Sequence, residues 1–184
     1  MGKIISNISE DLKHWITKQK IFFVSTAPLS AEGHVNCSPK GLDSFRVLDE
    51  KTVAYQDLVG SGVETIAHIQ ENQRMTIMFC AFDGPPKIIR LYGTGEVITP
   101  KHAEFESIQK NFVPHPGTRS YIKMNIHRVA DSCGYSVPKY QFQEDRDVLD
   151  KWVENKGKKG IEAYIQKENQ TSIDGLLGLE VIES

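Results

Sequence analysis

The spacing of apolar residues changes several times along the chain, and each change predicts an element. Ser9 with Glu10 and Asp11 reads as a capped helix start, and Leu12, Trp15 and Ile16 give that helix an apolar face. The run IFFVSTA (21–27) predicts a buried strand, and HVNCSP (34–39) alternates as a second strand after turn residues 28–33. FRVLD (45–49) and TVAYQD (52–57) flank a tight turn at Asp49-Glu50-Lys51, a hairpin signal. A helical pattern follows over about 62–71. RMTIMFCAF (74–82), the turn Asp83-Gly84-Pro85-Pro86 and KIIRLYGTGEVIT (87–99) predict a long hairpin. Gly93 and Gly95 mark a bulge or sharp bend in its second arm. Pro100 opens a helix predicted to run through Phe112. RSYIKMNIHRVAD (119–131) alternates over a long span, and CGYSVP (133–138) is expected to extend it.

The texture changes after Pro138. The stretch 143–169 is charged and helical, and Gly157 and Gly160 are expected to break it into two short surface helices before an ordered or semi-ordered tail, SIDGLLGLEVIES. The division that follows is a barrel-forming domain over 1–140 and a helical extension with its tail over 141–184. Many short strands joined by turns, with few helices, predict a mainly β, α+β chain built on an antiparallel barrel rather than a doubly wound sheet.

Composition narrows the function classes. With 22 basic against 24 acidic residues and a net charge of −2, the chain lacks the basic excess of a nucleic-acid binder. Its apolar runs are far too short to span a membrane, and MGKIISNISEDL has no secretory core, so a cytoplasmic location is expected. The same N-terminus fits the short myristoylation pattern through Gly2 and Ser6, which carries little weight. Cys37, Cys80 and Cys133 form no CxxC pair, and the six histidines show no metal spacing, so no metal site is expected.

Two stretches carry candidate chemistry. Gly60-Ser61-Gly62 separates a strand from a helix. Ser61 stands where an N-cap belongs and Glu64 follows three residues later, a capping box. The same turn suits an anion, because a helix N-terminus offers free N–H groups and the positive end of the dipole, to which Ser61 and Thr65 would add hydroxyls. GSGVET is also a partial dinucleotide fingerprint, but the surrounding strands read as hairpins rather than as a βαβ unit. In the second stretch, NCSPKG (36–41), Pro39 marks a strand end, Gly41 permits close approach, and Lys40 is a point charge within reach of a phosphate or an electron-rich ring. Both stretches also have a plain reading, as a capped turn and a solvated lysine.

The succession NCSPKG…FRVLDEKTVAYQDLVGSGVETIAHIQENQRMTIMF resembles the flavin mononucleotide (FMN)-binding split barrels related to pyridoxamine 5′-phosphate oxidase, over roughly residues 10 to 140. The resemblance implies a Greek-key split barrel of about six strands, a homodimer, and FMN at the subunit interface. It implies flavin contacts around Ser38, Lys40 and Gly41, and phosphate or ribityl contacts from Ser61, Gly62 and Thr65, with Arg74 as a further cation. The oxidase itself carries a C-terminal arginine- and histidine-containing signature. This chain has no arginine after Arg146, which points to another branch with a different small-molecule substrate. Tyr135 and Tyr140 are expected beside the flavin or in an interface. The implied activity is an FMN-dependent oxidoreductase, the alternative a non-catalytic flavin- or haem-binding module on the same barrel.

Overall fold

The longest alternating segments build the wall of the molecule. In the computed structural model, which describes residues 3–179, β6 (Arg74–Cys80) and β7 (Ile88–Ile98) form the long hairpin, and β8 (Thr118–Ser132) pairs along β7. Met75, Ile77, Phe79, Ile89 and Leu91 point to one side at period two and are all buried. Burying one such side chain contributes roughly 1.5–3 kcal/mol. The β7–β8 register shifts between Tyr92 and Gly93, as the paired glycines predict. A Cβ on Gly93 would stand 2.0 Å from the Asn125 carbonyl oxygen, so only glycine fits the bulge.

The remaining strands extend this wall in both directions. They are β2 (Phe22–Thr26), β3 (Asn36–Lys40), β4 (Phe45–Val47) and β5 (Thr52–Leu58), and the sheet runs β3-β2-β6-β7-β8-β5-β4, antiparallel throughout. A short β1 (Lys3–Ile5), not predicted, pairs with β8 at Val129–Asp131. The sheet curls on itself. Phe22 of β2 and Phe45 of β4, far apart in strand order, meet edge to face with ring centroids 5.0 Å apart. Side chains rather than backbone ladders therefore close the barrel, which leaves an open seam between β3 at one edge and β4–β5 at the other.

The helices plug and flank this barrel. α1 (Glu10–Thr17) is capped by Ser9, whose Oγ accepts from the Leu12 amide, and it buries Leu12 and Ile16 as its pattern requires. α2 (Glu64–Asn72) packs Ile66 and Ile69 into the main core, and α3 (Phe105–Gln109) covers Ala54, Ile98 and Tyr121 with Ile108. α3 is shorter than predicted, because the chain from Thr99 to Phe105 forms successive turns instead of helix. β8 stops at Ser132, where its partner β7 begins at Ile88, so CGYSVP has no strand to pair with and turns at Gly134. In the extension, α4 (Val148–Glu168) is broken at Gly157 (φ 62°, ψ 172°), whereas Gly160 stays helical. The tail turns back on itself through a bridge between Thr171 and Leu177. The possible acylation position Gly2 and the end of the tail lie outside the described residues. Among the described residues no helix is long and apolar enough to cross a membrane.

Candidate functional site

The polar chemistry gathers at the seam. Period two on β5 turns Val53, Tyr55 and Asp57 to one face, which carries a carboxylate inward. Asp57 is 1% exposed, and two cations reach it from different elements. Lys40 Nζ, at the end of edge strand β3, donates to Oδ1 at 3.2 Å across the seam. Arg119 Nε, on β8, donates to Oδ2 at 2.7 Å, and the Ser120 hydroxyl donates to the same oxygen at 3.3 Å. Burial alone would raise the Asp57 pKa. The charges of Arg119 and Lys40 and their hydrogen bonds outweigh it and hold the carboxyl below its usual range.

Arg119 extends this cluster to the C-terminal tail. Its Nη1 donates to the Gly60 carbonyl and, at 2.9 Å, to Asn169 Oδ1. Asn169, fully buried, returns hydrogen bonds from Nδ2 to the carbonyls of Gly60 and Ser61. The extension is thereby tied to the loop that precedes α2. Tyr55 lies between these groups. Lys40 Nζ stands 5.8 Å from its ring centroid, and its buried hydroxyl has no hydrogen-bond partner among the described residues. Burial, reinforced by the Asp57 charge, pushes the Tyr55 pKa well above its ordinary value.

A second, uncharged string runs beside the first. Ser38 Oγ donates to Asn36 Oδ1, and Asn36 Nδ2 donates to Thr65 Oγ1 at 2.9 Å and to Thr26 Oγ1 at 3.2 Å. Thr26 Oγ1 lies 3.0 Å from His68 Nδ1. His68 is fully buried, its Nε2 has no partner among the described residues, and burial lowers its pKa.

The structure places the predicted site residues unevenly. Ser38 and Thr65 are joined through Asn36, and Lys40 is linked to the Gly60–Ser61 loop through Asp57 and Arg119. Gly41 follows Lys40 in a tight loop, where a Cβ would come 3.3 Å from the Lys20 carbonyl and where Ser44 Oγ donates to the Gly41 carbonyl. Arg74 stands apart. Register sets Lys40 opposite Phe22 but Met75 opposite Thr26, about four residues or ~13 Å along the strand. Its guanidinium turns to the Pro28 carbonyl and to Asn72 Oδ1.

The capping box is not formed. α2 starts at Glu64 with Val63 in the cap position and no side-chain cap bond, and Ser61 is exposed. Glu64 turns its carboxylate elsewhere. Oε1 accepts from the Ile173 amide of the tail, and Oε2 would stand 2.6 Å from a Cβ at Gly62. Gly62 is thus the residue that leaves room for Glu64, and a carboxylate already faces the positive end of α2. On the same side Asp174 Oδ1 contacts His34 Nδ1 at 2.6 Å, a bond that, with one from the His34 amide, lowers the Asp174 pKa.

Sequence reasoning missed Asp57, Arg119, Asn169, Asn36 and His68. One signal was available: an acid at the inward phase of an otherwise apolar strand, TVAYQDL, needs a buried cation. Nothing in the sequence pairs Asn169 with a loop more than one hundred residues earlier.

Known proteins match both the chain and its barrel. The profile of the family described as pyridoxamine 5′-phosphate oxidase matches residues 8–133, which include every strand from β2 to β8. The pyridoxamine 5′-phosphate oxidase family protein ustO of Aspergillus flavus is 40% identical over 195 residues, spanning 94% of this chain and 76% of its own length. Among solved structures, HupZ of Group A Streptococcus superposes with a TM-score of 0.52 at 24% identity, over 66% of this chain and 91% of its own. A Clostridium acetobutylicum protein related to general stress protein 26 of B. subtilis (pyridoxinephosphate oxidase family) gives 0.52 at 12% identity, over 67% and 86%. The two structures support the fold alone. The profile and the 40% identical relative go further, and on them this chain belongs to the pyridoxamine 5′-phosphate oxidase family.

Proposed function

We propose that the protein is an FMN-binding oxidoreductase acting on a small molecule, with the cofactor's anionic part held at the seam. The observation that carries this reading is a charge imbalance. Lys40 and Arg119 share the single carboxylate of Asp57, so the seam holds one more positive than negative charge. Uncompensated charge at a poorly hydrated site is costly, and a bound anion relieves the cost. Lys40 is the group placed to meet it. Its side chain is 22% exposed, and Asp57 occupies only one of its three donors.

The donor chemistry present fits such a cofactor. Lys40 would hold the anion, Gly41 would let the cofactor approach the backbone, and the exposed Ser61 would add a hydroxyl, whereas the Ser38 O–H is already given to Asn36 Oδ1. Thr65 and Arg74 contribute less to this reading, since both are engaged with protein partners. Glu64 opposes a dianion directly on the first amides of α2, which favours Lys40 as the principal contact. A bound flavin supplies hydride or electron transfer at its ring. The chain's own residues bind and orient. Arg119 fixes Asp57, Asp57 fixes Lys40, and the fully buried Tyr55 ring forms a dry wall beneath the ammonium.

A second reading, a flavin- or haem-binding module without turnover, is favoured by one observation. Asp57 is held ionised and Tyr55 protonated, so neither exchanges a proton near neutral pH. The absorbance spectrum of the purified protein tests the first reading. A flavin band that bleaches with NADH or NADPH is expected; a flavin band that neither donor bleaches selects the carrier reading, and a protein that neither retains nor binds FMN overturns both flavin readings. The homodimer is proposed on the outer face of the sheet, where Phe23, Met78 and Arg90 align across strands and Ile4 and Tyr92 are exposed. Light scattering at the mass of two chains is the expected result.

A further inference from the structure

A cleft of about 1130 Å³ separates α4 from the barrel. The helix is fastened near its ends. At the start His115 Nε2 lies 2.9 Å from Asp150 Oδ1, Val153 packs on Val59, and a Cβ at Gly117 would stand 3.0 Å from Val153 Cγ2. Just past the far end Asn169 is held by Gly60, Ser61 and Arg119. Between these anchors Gly157 breaks the helix at a left-handed φ that other residues adopt only under strain, and Gly157 lines the cleft.

The lining is mixed, with an apolar strip set among Gln70, Gln73, Thr99, Thr118 and Gln166. Ile69, Val97 and Leu179 face the cleft from the barrel side, and Val153, Ile161 and Ile165 from the helix. One buried cation lines it as well. The Arg119 side chain is 4% exposed, its Nε and Nη1 are engaged, and its Nη2 makes no hydrogen bond among the described residues. Its counter-charge, Asp57, is shared with Lys40. The other charges on the lining do not set a preference. Lys101, Lys158 and Lys159 stand against Glu154 and Glu162, all exposed and screened by solvent, and Glu96 is tied to Lys123 and His102. The volume slightly exceeds the usual range of about 300–1,000 Å³ for small-molecule sites.

We propose that this cleft binds an apolar small molecule bearing one carboxylate, with the carboxylate against Arg119 and the apolar body between α4 and the barrel. The site shares Arg119, and with it the single surplus positive charge of the Asp57 cluster, with the seam. A charge-assisted hydrogen bond of this kind corresponds to roughly tenfold or more in affinity.

The test uses the full chain and the fluorescent probe 8-anilinonaphthalene-1-sulfonate, displaced by decanoate, 1-decanol or decylamine. Decanoate is expected to displace the probe at least about tenfold more effectively than decanol, with decylamine weakest. Ile165→Trp, which narrows the apolar part of the cleft, is expected to weaken decanoate by about tenfold or more while leaving the flavin spectrum unchanged. Arg119→Lys is expected to narrow the preference for decanoate over decanol. Equal displacement by decanoate and decanol, or an Ile165→Trp variant that binds decanoate like the parent, overturns the proposal. Should Arg119→Lys fail to fold, the Ile165→Trp result decides alone, and flavin absorbance read in parallel keeps this outcome separate from that of the flavin proposal.

Discussion

The wall formed by β6, β7 and β8 and the seam between β3 and β5 solve one problem by opposite chemistry. In the wall, adjacent strands exchange backbone hydrogen bonds and bury Ile77, Ile89, Leu91 and Met124 without a charge among them. At the seam the backbone ladder is missing. Aromatic contact between Phe22 and Phe45 and an ion cluster around Asp57 hold the edges instead. The wall gains its stability from buried apolar area and a continuous backbone ladder. The seam trades some of that stability for charge that is preorganised and only partly satisfied, which is the property a binding site needs.

Variants that break this contrast differ in size. The largest effect is expected from Asp57→Ala, which strands Arg119 in the interior and should cost about 3–5 kcal/mol in denaturant unfolding. Leu91→Ala in the wall should cost a comparable ~2–5 kcal/mol by leaving a cavity. The two losses should part with pH. Because the folded pKa of Asp57 lies below its unfolded value, its stabilisation is full above about pH 4 and is lost as pH falls through the folded pKa. Asp57→Ala should flatten that acid limb, and Leu91→Ala should leave its shape unchanged. Asn169→Ala comes next. It removes the Asn169 Nδ2 bonds to the Gly60 and Ser61 carbonyls and the shorter of the two bonds from Arg119 Nη1, and should cost about 1–3 kcal/mol.

The smallest effect belongs to His68. Burial depresses its pKa, so the unfolded state binds the extra proton below about pH 6.5 and stability falls as the solution is acidified through that region. His68→Gln should remove this slope from a plot of unfolding free energy against pH, with little change at pH 8.

What the sequence revealed follows the same division. Alternation over 74–99 and 119–131 locates the wall to within a residue or two, and the glycine pair locates its bulge, because those features depend on local period and sterics. The seam was half visible. Lys40 and Ser38 stand out beside Pro39 and Gly41, but their partners arrive from β5, β8 and the tail, at separations no local pattern encodes. The expected cap at Ser61 failed for a related reason. Glu64 accepts instead from the Ile173 amide, which only the folded tail supplies. β1 was missed because three residues are too few to show a period.

The claim that Lys40 keeps spare positive charge for a flavin anion is tested most directly by titrating the apoprotein with FMN, following quenching of flavin fluorescence, and repeating this with Lys40→Ala. The parent is expected to bind one FMN per chain and the variant to bind at least about tenfold more weakly, with its unfolding midpoint near that of the parent. Equal affinities in two equally folded proteins would contradict it.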